Sequence, residues 1–231
     1  MTPDSPTSTN APGAASPRIL YLHGFASGPA SVKGLSFERF YSTHGIAIQR
    51  LDLRRPSLAH LRLSAIMATV ASALEGTERA ILIGSSLGGL TAARFAERDP
   101  RVAALVLLAP AFQLVPRWRA RLGDAAWKQW QDSGWLEIHD HTTGQPAHVD
   151  YGFIEDAQEI DAAGGGWPKV SVPTLVFHGL RDDVVDIGLS RQLVARASNV
   201  RLVELNDDHQ LVDSLPRLLT ETYDFLLQHG A

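Results

Sequence analysis

The chain has 231 residues, 45% of them apolar, and a net charge of −4 from 21 basic and 25 acidic side chains. That length suits a single domain with a sizeable core, and the acidic balance leaves no basic footprint for nucleic acid. There is no cysteine, which removes disulfides, thiolate catalysis and cysteine metal sites together.

Residues 1–17 are rich in Pro, Ser, Thr and Ala and lack large apolar side chains, so they are expected to form a disordered tail. No basic segment followed by an apolar one marks a secretory signal, and no apolar run is long enough to span a bilayer. A cytoplasmic location is the expectation.

Arg18–Leu22 reads as a short apolar strand that runs into His23-Gly24. Val32–His44 has helical spacing of Val32, Leu35, Phe37 and Phe40, with Gly45 as its stop. A strand is predicted over Ile46–Leu51, a helix over His60–Leu74 and a strand over Arg79–Ile83. The apolar run Ala80–Ile83 leads directly into Gly84-Ser85-Ser86-Leu87-Gly88, after which Leu87–Arg98 is helical. A strand entering G-x-S-x-G and leaving as a helix holds the middle serine, Ser86, on a sharp turn with its hydroxyl exposed. Val102–Ala109 is a continuous apolar run, as suits a strand buried on both faces.

The alternation then breaks. Residues 111–168 contain all five tryptophans and read as an insertion over one end of a sheet. Within it, Arg117–Gln131 is expected to be an amphipathic helix, and Leu136–His141 with Ala147–Tyr151 a hairpin. Gly164-Gly165-Gly166 reads as a flexible joint. The βα rhythm returns with a strand over Val172–His178, a helix over Ile187–Ala197, a strand over Val200–Leu205 and a final helix over Ser214–His229. Strands alternating with helices predict an α/β fold, a mostly parallel sheet covered on both faces. Ligands of such sheets bind beyond the carboxyl ends of the strands, where His23, Ser86 and Asp182 all fall.

A serine hydroxyl needs a base, and the base a carboxylate that orients it. Ser86 is followed by Asp182 and Asp183 in one post-strand loop and by His209 in the next, the order Ser, acid, His. Among the histidines, His23 is expected to brace its own loop and His178 to pack or bond locally, which leaves His209 as the base. The two aspartates compete for the acid. The strand–His–Gly–x–x–Asp turn favours Asp182 pointing inward, with Asp183 as a turn cap or a partner for Arg181. For a developing oxyanion, one donor is the N–H of Leu87, at the start of a helix. The second is expected from the loop Leu22–Gly28, at the N–H of Phe25. Gly24 and Gly28 do not complete G-x-G-x-x-G, which disfavours a dinucleotide site.

The segment Tyr21–Ser31 together with Gly84–Gly89 resembles the small bacterial YqiA/YcfP-type esterases. Tyr151–Ala157 and His178–Val185 resemble the mitochondrial palmitoyl-protein thioesterase and acyl-glucuronide esterase of the α/β-hydrolase-domain group. The resemblance covers about residues 18–229. It implies the α/β-hydrolase fold, Ser86, Asp182 and His209 as a catalytic triad, and no cofactor. The first two strands of the full fold have no counterpart here, so a core of about six strands is expected.

The tryptophan-rich insertion is read as a small cap. Phe25, Trp118, Trp127, Trp130 and Trp135 are the candidate substrate-binding residues, with packing of the cap as the competing role for each tryptophan. Arg117, Arg119 and Arg121 read as a solvated helix face. His139, His141 and His148 form no motif that closes a metal coordination sphere, and no metal is expected. The chemistry that follows is hydrolysis of a small-molecule acyl ester or thioester. A serine at the elbow, where epoxide hydrolases and dehalogenases need aspartate, argues against those reactions. The alternatives are the same triad acting on amide, lactone or carbon–carbon bonds, and a non-catalytic ligand-binding protein on the same fold.

Overall fold

The apolar runs assemble into one sheet in the computed structural model, which describes residues 16–230. The expected tail lies, up to residue 15, outside the described residues. Six strands form the sheet: β1 (Arg18–Leu22), β2 (Ile48–Leu51), β3 (Ala80–Ser85), β4 (Val102–Leu108), β7 (Thr174–Gly179) and β8 (Val200–Leu205). Their order is β2-β1-β3-β4-β7-β8, and every neighbouring pair is parallel.

Successive side chains leave opposite faces of a strand, so each buried strand feeds two cores. Leu20, Leu22, Leu82, Leu105 and Leu107 enter one. Ile19, Tyr21, Ile81, Ile83, Val106 and Leu108 enter the other. The second core is closed by Phe37 and Tyr41 of α1 (Val32–Ser42) and by Leu218, Phe225 and Leu226 of α7 (Leu215–Gln228). The first is closed by α2 (Leu63–Ala73) and α3 (Leu87–Ala96), with Leu193 of α6 (Gly188–Val194). It also continues without a break into the segment between β4 and β7.

That segment holds α4 (Leu114–Ser133), the antiparallel hairpin β5 (Trp135–Asp140) and β6 (Gln145–Asp150), and α5 (Gly152–Ala163). Helix α4 bends at Gly123, whose φ of 74° no helix accommodates. Helix α5 has no counterpart among the expected elements. Its buried Phe153, Ile154, Ala157 and Ile160 have the i, i+1, i+4, i+7 spacing that marks it. The triple glycine is not a free joint. The buried Arg94 guanidinium donates to the Gly164 and Gly166 carbonyls at 3.3 and 2.8 Å while pairing with Asp161 and Glu97. These bonds engage both terminal nitrogens of the buried guanidinium, while its Nε has no partner among the described residues, and they hold the Gly164 and Gly166 carbonyls in place.

The order of the strands places the site. From β1 the chain steps one way to β2 and then back across to β3, so the loops after β1 and β3 diverge at a switch point where a crevice opens.

Candidate active site

Ser86 follows β3 with φ 52° and ψ −113°, in a region that side chains rarely occupy. The turn is held by the Ser86 N–H donating to the Leu108 carbonyl at 2.9 Å, and by its own carbonyl accepting from Gly89, Leu90 and Ala111. The flanking glycines permit the close approach. A Cβ on Gly84 would stand 2.7 Å from the Gly89 Cα, and one on Gly88 2.7 Å from the His23 carbonyl oxygen.

Asp182 sits in the turn after β7 and its carboxylate is fully buried. Oδ1 accepts from the N–H groups of Val184 and Val185 at 2.9 and 2.8 Å. Oδ2 accepts from His209 Nδ1 at 2.7 Å and lies 3.1 Å from His178 Nε2. Burial opposes its ionisation, but the hydrogen bonds from His178 and His209, the charge interaction with His209 and the Val185 N–H outweigh it. They hold the carboxyl well below the usual carboxylate range. Asp183 is exposed, and it neither caps a turn nor pairs with Arg181, which donates to the Asn206 carbonyl.

His209 lies in the loop after β8, with Nε2 3.1 Å from Ser86 Oγ. Because Asp182 only accepts, Nδ1 carries the proton, and Nε2 is left to accept from the serine hydroxyl. The loop is fastened by the buried Asp207, whose carboxylate accepts from the N–H groups of Asp208 and Ser214 at 2.7 and 2.8 Å. Lys33 of α1 donates to the Gln210 carbonyl at 2.6 Å. Burial pushes that lysine down to about 8, against the pull of Asp208, Asp207 and Asp182.

His178 packs and bonds locally, as expected, and one of its local partners is the Asp182 carboxylate. The imidazole is wholly buried, and Nε2 faces both the Val185 carbonyl at 2.8 Å and Asp182. Nε2 therefore carries the proton, and Nδ1 accepts from Ser190 Oγ at 2.7 Å. Strand position alone gave the signal: the last side chain of β7 faces the same acid as the loop beyond it.

The first loop reaches the serine directly, for a Cβ on Gly24 would be 3.4 Å from Ser86 Cβ. His23 braces this loop by donating from Nδ1 to the Gly24 carbonyl at 2.9 Å and accepting from the Leu53 N–H at 3.0 Å. The N–H groups of Phe25 and Leu87 have no acceptor among the described residues. Leu87 opens α3, where a first-turn N–H has no partner within the helix.

The candidate substrate-binding residues separate. The Phe25 ring meets Trp118 edge-on at 5.0 Å and Phe153 at 5.5 Å. Trp127 and Trp130 are buried within the inserted segment against each other and Tyr151, and Trp130 donates to the Val149 carbonyl at 3.2 Å. Trp135 is exposed and packs edge-on against His60. Of the four tryptophans, Trp118 is the one whose ring meets Phe25. Arg117 also departs from the solvated face expected of it. Half-buried, it donates to the Phe112 and Val184 carbonyls at 2.8 and 3.0 Å, and burial lowers it to about 10. It thereby ties α4 to the loop of Asp182, while Arg119 and Arg121 face solvent.

His139 and His141 meet edge to face at 5.0 Å, and His148 stands opposite Glu137 on the hairpin. The described residues contain no group of three or more potential ligands arranged to hold a metal. Among them, no helix is long and apolar enough to cross a membrane.

Residues 18–226 match the family described as "Uncharacterised protein family (UPF0227)", and the chain belongs to it. It is similar to the mitochondrial palmitoyl-protein thioesterase ABHD10 of Bos taurus, 26% identical over 228 residues, which cover 92% of this chain and 73% of the relative. The human counterpart is 25% identical with the same coverage. Among solved structures, mouse alpha/beta hydrolase domain-containing protein 10 superposes with a TM-score of 0.78 at 24% identity, covering 94% of this chain and 92% of that one. Est1E from Butyrivibrio proteoclasticus, bound to ferulic acid, gives 0.75 at 19% identity with 92% and 89% coverage. The monoacylglycerol lipase of Paleococcus ferrophilus gives 0.74 at 17% identity with 93% and 96% coverage. The fold is that of the α/β-hydrolases, and the relatives bear the names of hydrolases.

Proposed function

We propose that the chain is a serine hydrolase that cleaves carboxylic esters or thioesters of small molecules. The observation that carries this reading is the unbroken sequence of contacts from Ser86 Oγ to His209 at 3.1 Å and from His209 to Asp182 at 2.7 Å. In this mechanism His209 Nε2 takes the Ser86 proton as Oγ bonds to the acyl carbon. The carbonyl electrons move onto oxygen, which accepts from the N–H groups of Phe25 and Leu87. Asp182 steadies the imidazolium. His209 then returns the proton to the leaving alcohol or thiol as the carbon–oxygen or carbon–sulfur bond breaks. Water, deprotonated by His209, releases the acid and regenerates Ser86. No cofactor enters any step. Phe25 and Trp118 are assigned to the acyl side of the pocket. The relatives named as thioesterase and lipase favour acyl esters and thioesters over other bonds. The cysteine-free chain suits the reducing cytoplasm.

The test is a fluorophosphonate probe followed by a panel of acyl esters and thioesters, on wild type and Ser86→Ala. Labelling at Ser86 and turnover abolished in Ser86→Ala are expected. A folded wild-type protein that takes no label and turns over no ester or thioester overturns the reading.

A further inference from the structure

The backbone around Phe25 is a turn closed by one long internal bond, from the Ser27 N–H to the Gly24 carbonyl at 3.3 Å, and is otherwise tied from outside. Ala26 has φ 51°, a left-handed conformation that a residue with a Cβ adopts at a cost of about 1 kcal/mol. On the near side, Gly24 is tied inward through His23 and Leu53. On the far side the ties come from elsewhere in the chain. The His141 N–H, in the turn of the β5–β6 hairpin, donates to the Ala26 carbonyl at 2.9 Å. Arg54, just past β2, donates from Nε to the Ser27 carbonyl at 3.0 Å, and its Nη2 pairs with the Asp140 carboxylate. Asp140 also organises the hairpin turn. Its carboxylate accepts from the Thr142 N–H and its carbonyl from the Gly144 N–H, both at 2.8 Å. Thr142 in turn closes on the loop, where a Cβ on Gly28 would stand 3.0 Å from its Oγ1.

We infer that Arg54 and Asp140 are positioning residues for the oxyanion loop, through which the inserted hairpin sets the direction of the Phe25 N–H. The inference rests on the hydrolase reading above. Asp140 is nearly inaccessible and Arg54 about a quarter exposed, so the pair is partly shielded from water. Burial opposes ionisation of Asp140, but the Thr142 N–H and the Arg54 guanidinium hold its carboxyl at about 2. The planar fork of arginine is what lets one side chain serve a carbonyl and a carboxylate together, which a lysine ammonium cannot reproduce.

Wild type is first labelled at Ser86 with the fluorophosphonate and assayed on a p-nitrophenyl acyl ester. Failure at that stage defeats the hydrolase reading and not this one. With an active wild type, Arg54→Lys and Asp140→Ala are expected to lower kcat roughly tenfold to a hundredfold with KM within about threefold. That falls short of the ~10²–10³ lost when an oxyanion donor is removed outright. Affinity for a trifluoromethyl ketone of the same acyl group, to which Ser86 adds as a tetrahedral oxyanion, should fall by the same factor. Asp140→Asn, whose Oδ1 still accepts from Thr142 and Arg54, should recover most of both losses. Should Arg54→Lys not fold, the Asp140 pair carries the test. Unchanged kcat in the folded variants, or a lower kcat with undiminished ketone affinity, overturns the inference.

Discussion

The sheet edge and the inserted segment are held by different physics. At the edge, Ser86 and Asp182 stand on loops that leave the wholly buried strands β3 and β7, His209 stands on the loop after the outermost strand β8, and backbone hydrogen bonds help fix each turn. The insertion shares an aromatic core with the sheet but is fastened along its margin by charge. Arg62 grips Asp150 at 2.6 and 3.0 Å, His60 meets the same carboxylate at 2.6 Å, and the Ser64 N–H donates to Asp156 at 2.9 Å. Each buried leucine or phenylalanine contributes about 1.5–3 kcal/mol, whereas an exposed ion pair contributes about 0–1. Because Trp130, Phe153 and Ile154 of the insertion are buried in the same core as the sheet, the two regions differ at their margins, where backbone hydrogen bonds close the edge turns and charge closes the rim of the insertion.

The largest effect separates two adjacent aspartates at the edge. Asp182→Asn should cut kcat by about 10³–10⁴-fold, because the amide either offers an N–H to His209 or forces the wrong tautomer. Asp183→Asn should leave turnover on the same ester within twofold. Equal losses, or the reverse, would break the assignment of Asp182 as the acid at that edge.

A moderate effect is expected from the insertion. Trp118→Ala should shift chain-length preference across a series of acyl esters by about tenfold in kcat/KM. Trp135→Ala, at an exposed ring packed against His60, should leave that preference alone. A series insensitive to Trp118 would make it a packing residue.

The smallest effect is a difference in acid sensitivity. Asp150 is held below its ordinary value by Arg62 and His60, which outweigh its burial, and Asp140 is held at about 2. Folded-state values below the unfolded 3.8 mean that both contribute stability above that pH and lose it as pH falls toward 2. Asp182, held lower still, survives further into acid. All five tryptophans lie in residues 111–168, so their fluorescence reports on the insertion while far-UV circular dichroism follows the whole fold. Fluorescence should change first on acid titration. Coincident transitions would make the two regions a single cooperative unit.

The edge was legible because its rules are local. A run such as Ala80–Ile83, buried on both faces, announces a parallel strand, and G-x-S-x-G after it announces the turn. The order Ser, Asp, His then needs only parallel strands to bring the three loops to one side. The insertion was less legible. Its helices and hairpin follow period rules, and even the missed α5 carried its spacing. Which tryptophan meets Phe25, and whether Arg117 faces water or the Asp182 loop, depends on how the insertion docks, and no local pattern encodes that.

By itself, then, the sequence determined the parallel sheet, the serine turn and the order in which the Asp182 and His209 loops follow it, since apolar periodicity and steric limits on the backbone act over a few residues. Tertiary structure alone decided the rest. Arg94 was brought to the carbonyls of Gly164 and Gly166, Arg117 to the loop of Asp182, and Arg54 was set between Ser27 and Asp140. Those outcomes rest on buried and half-buried guanidinium groups finding acceptors up to 86 residues away along the chain, and such partners exist only once the fold has closed.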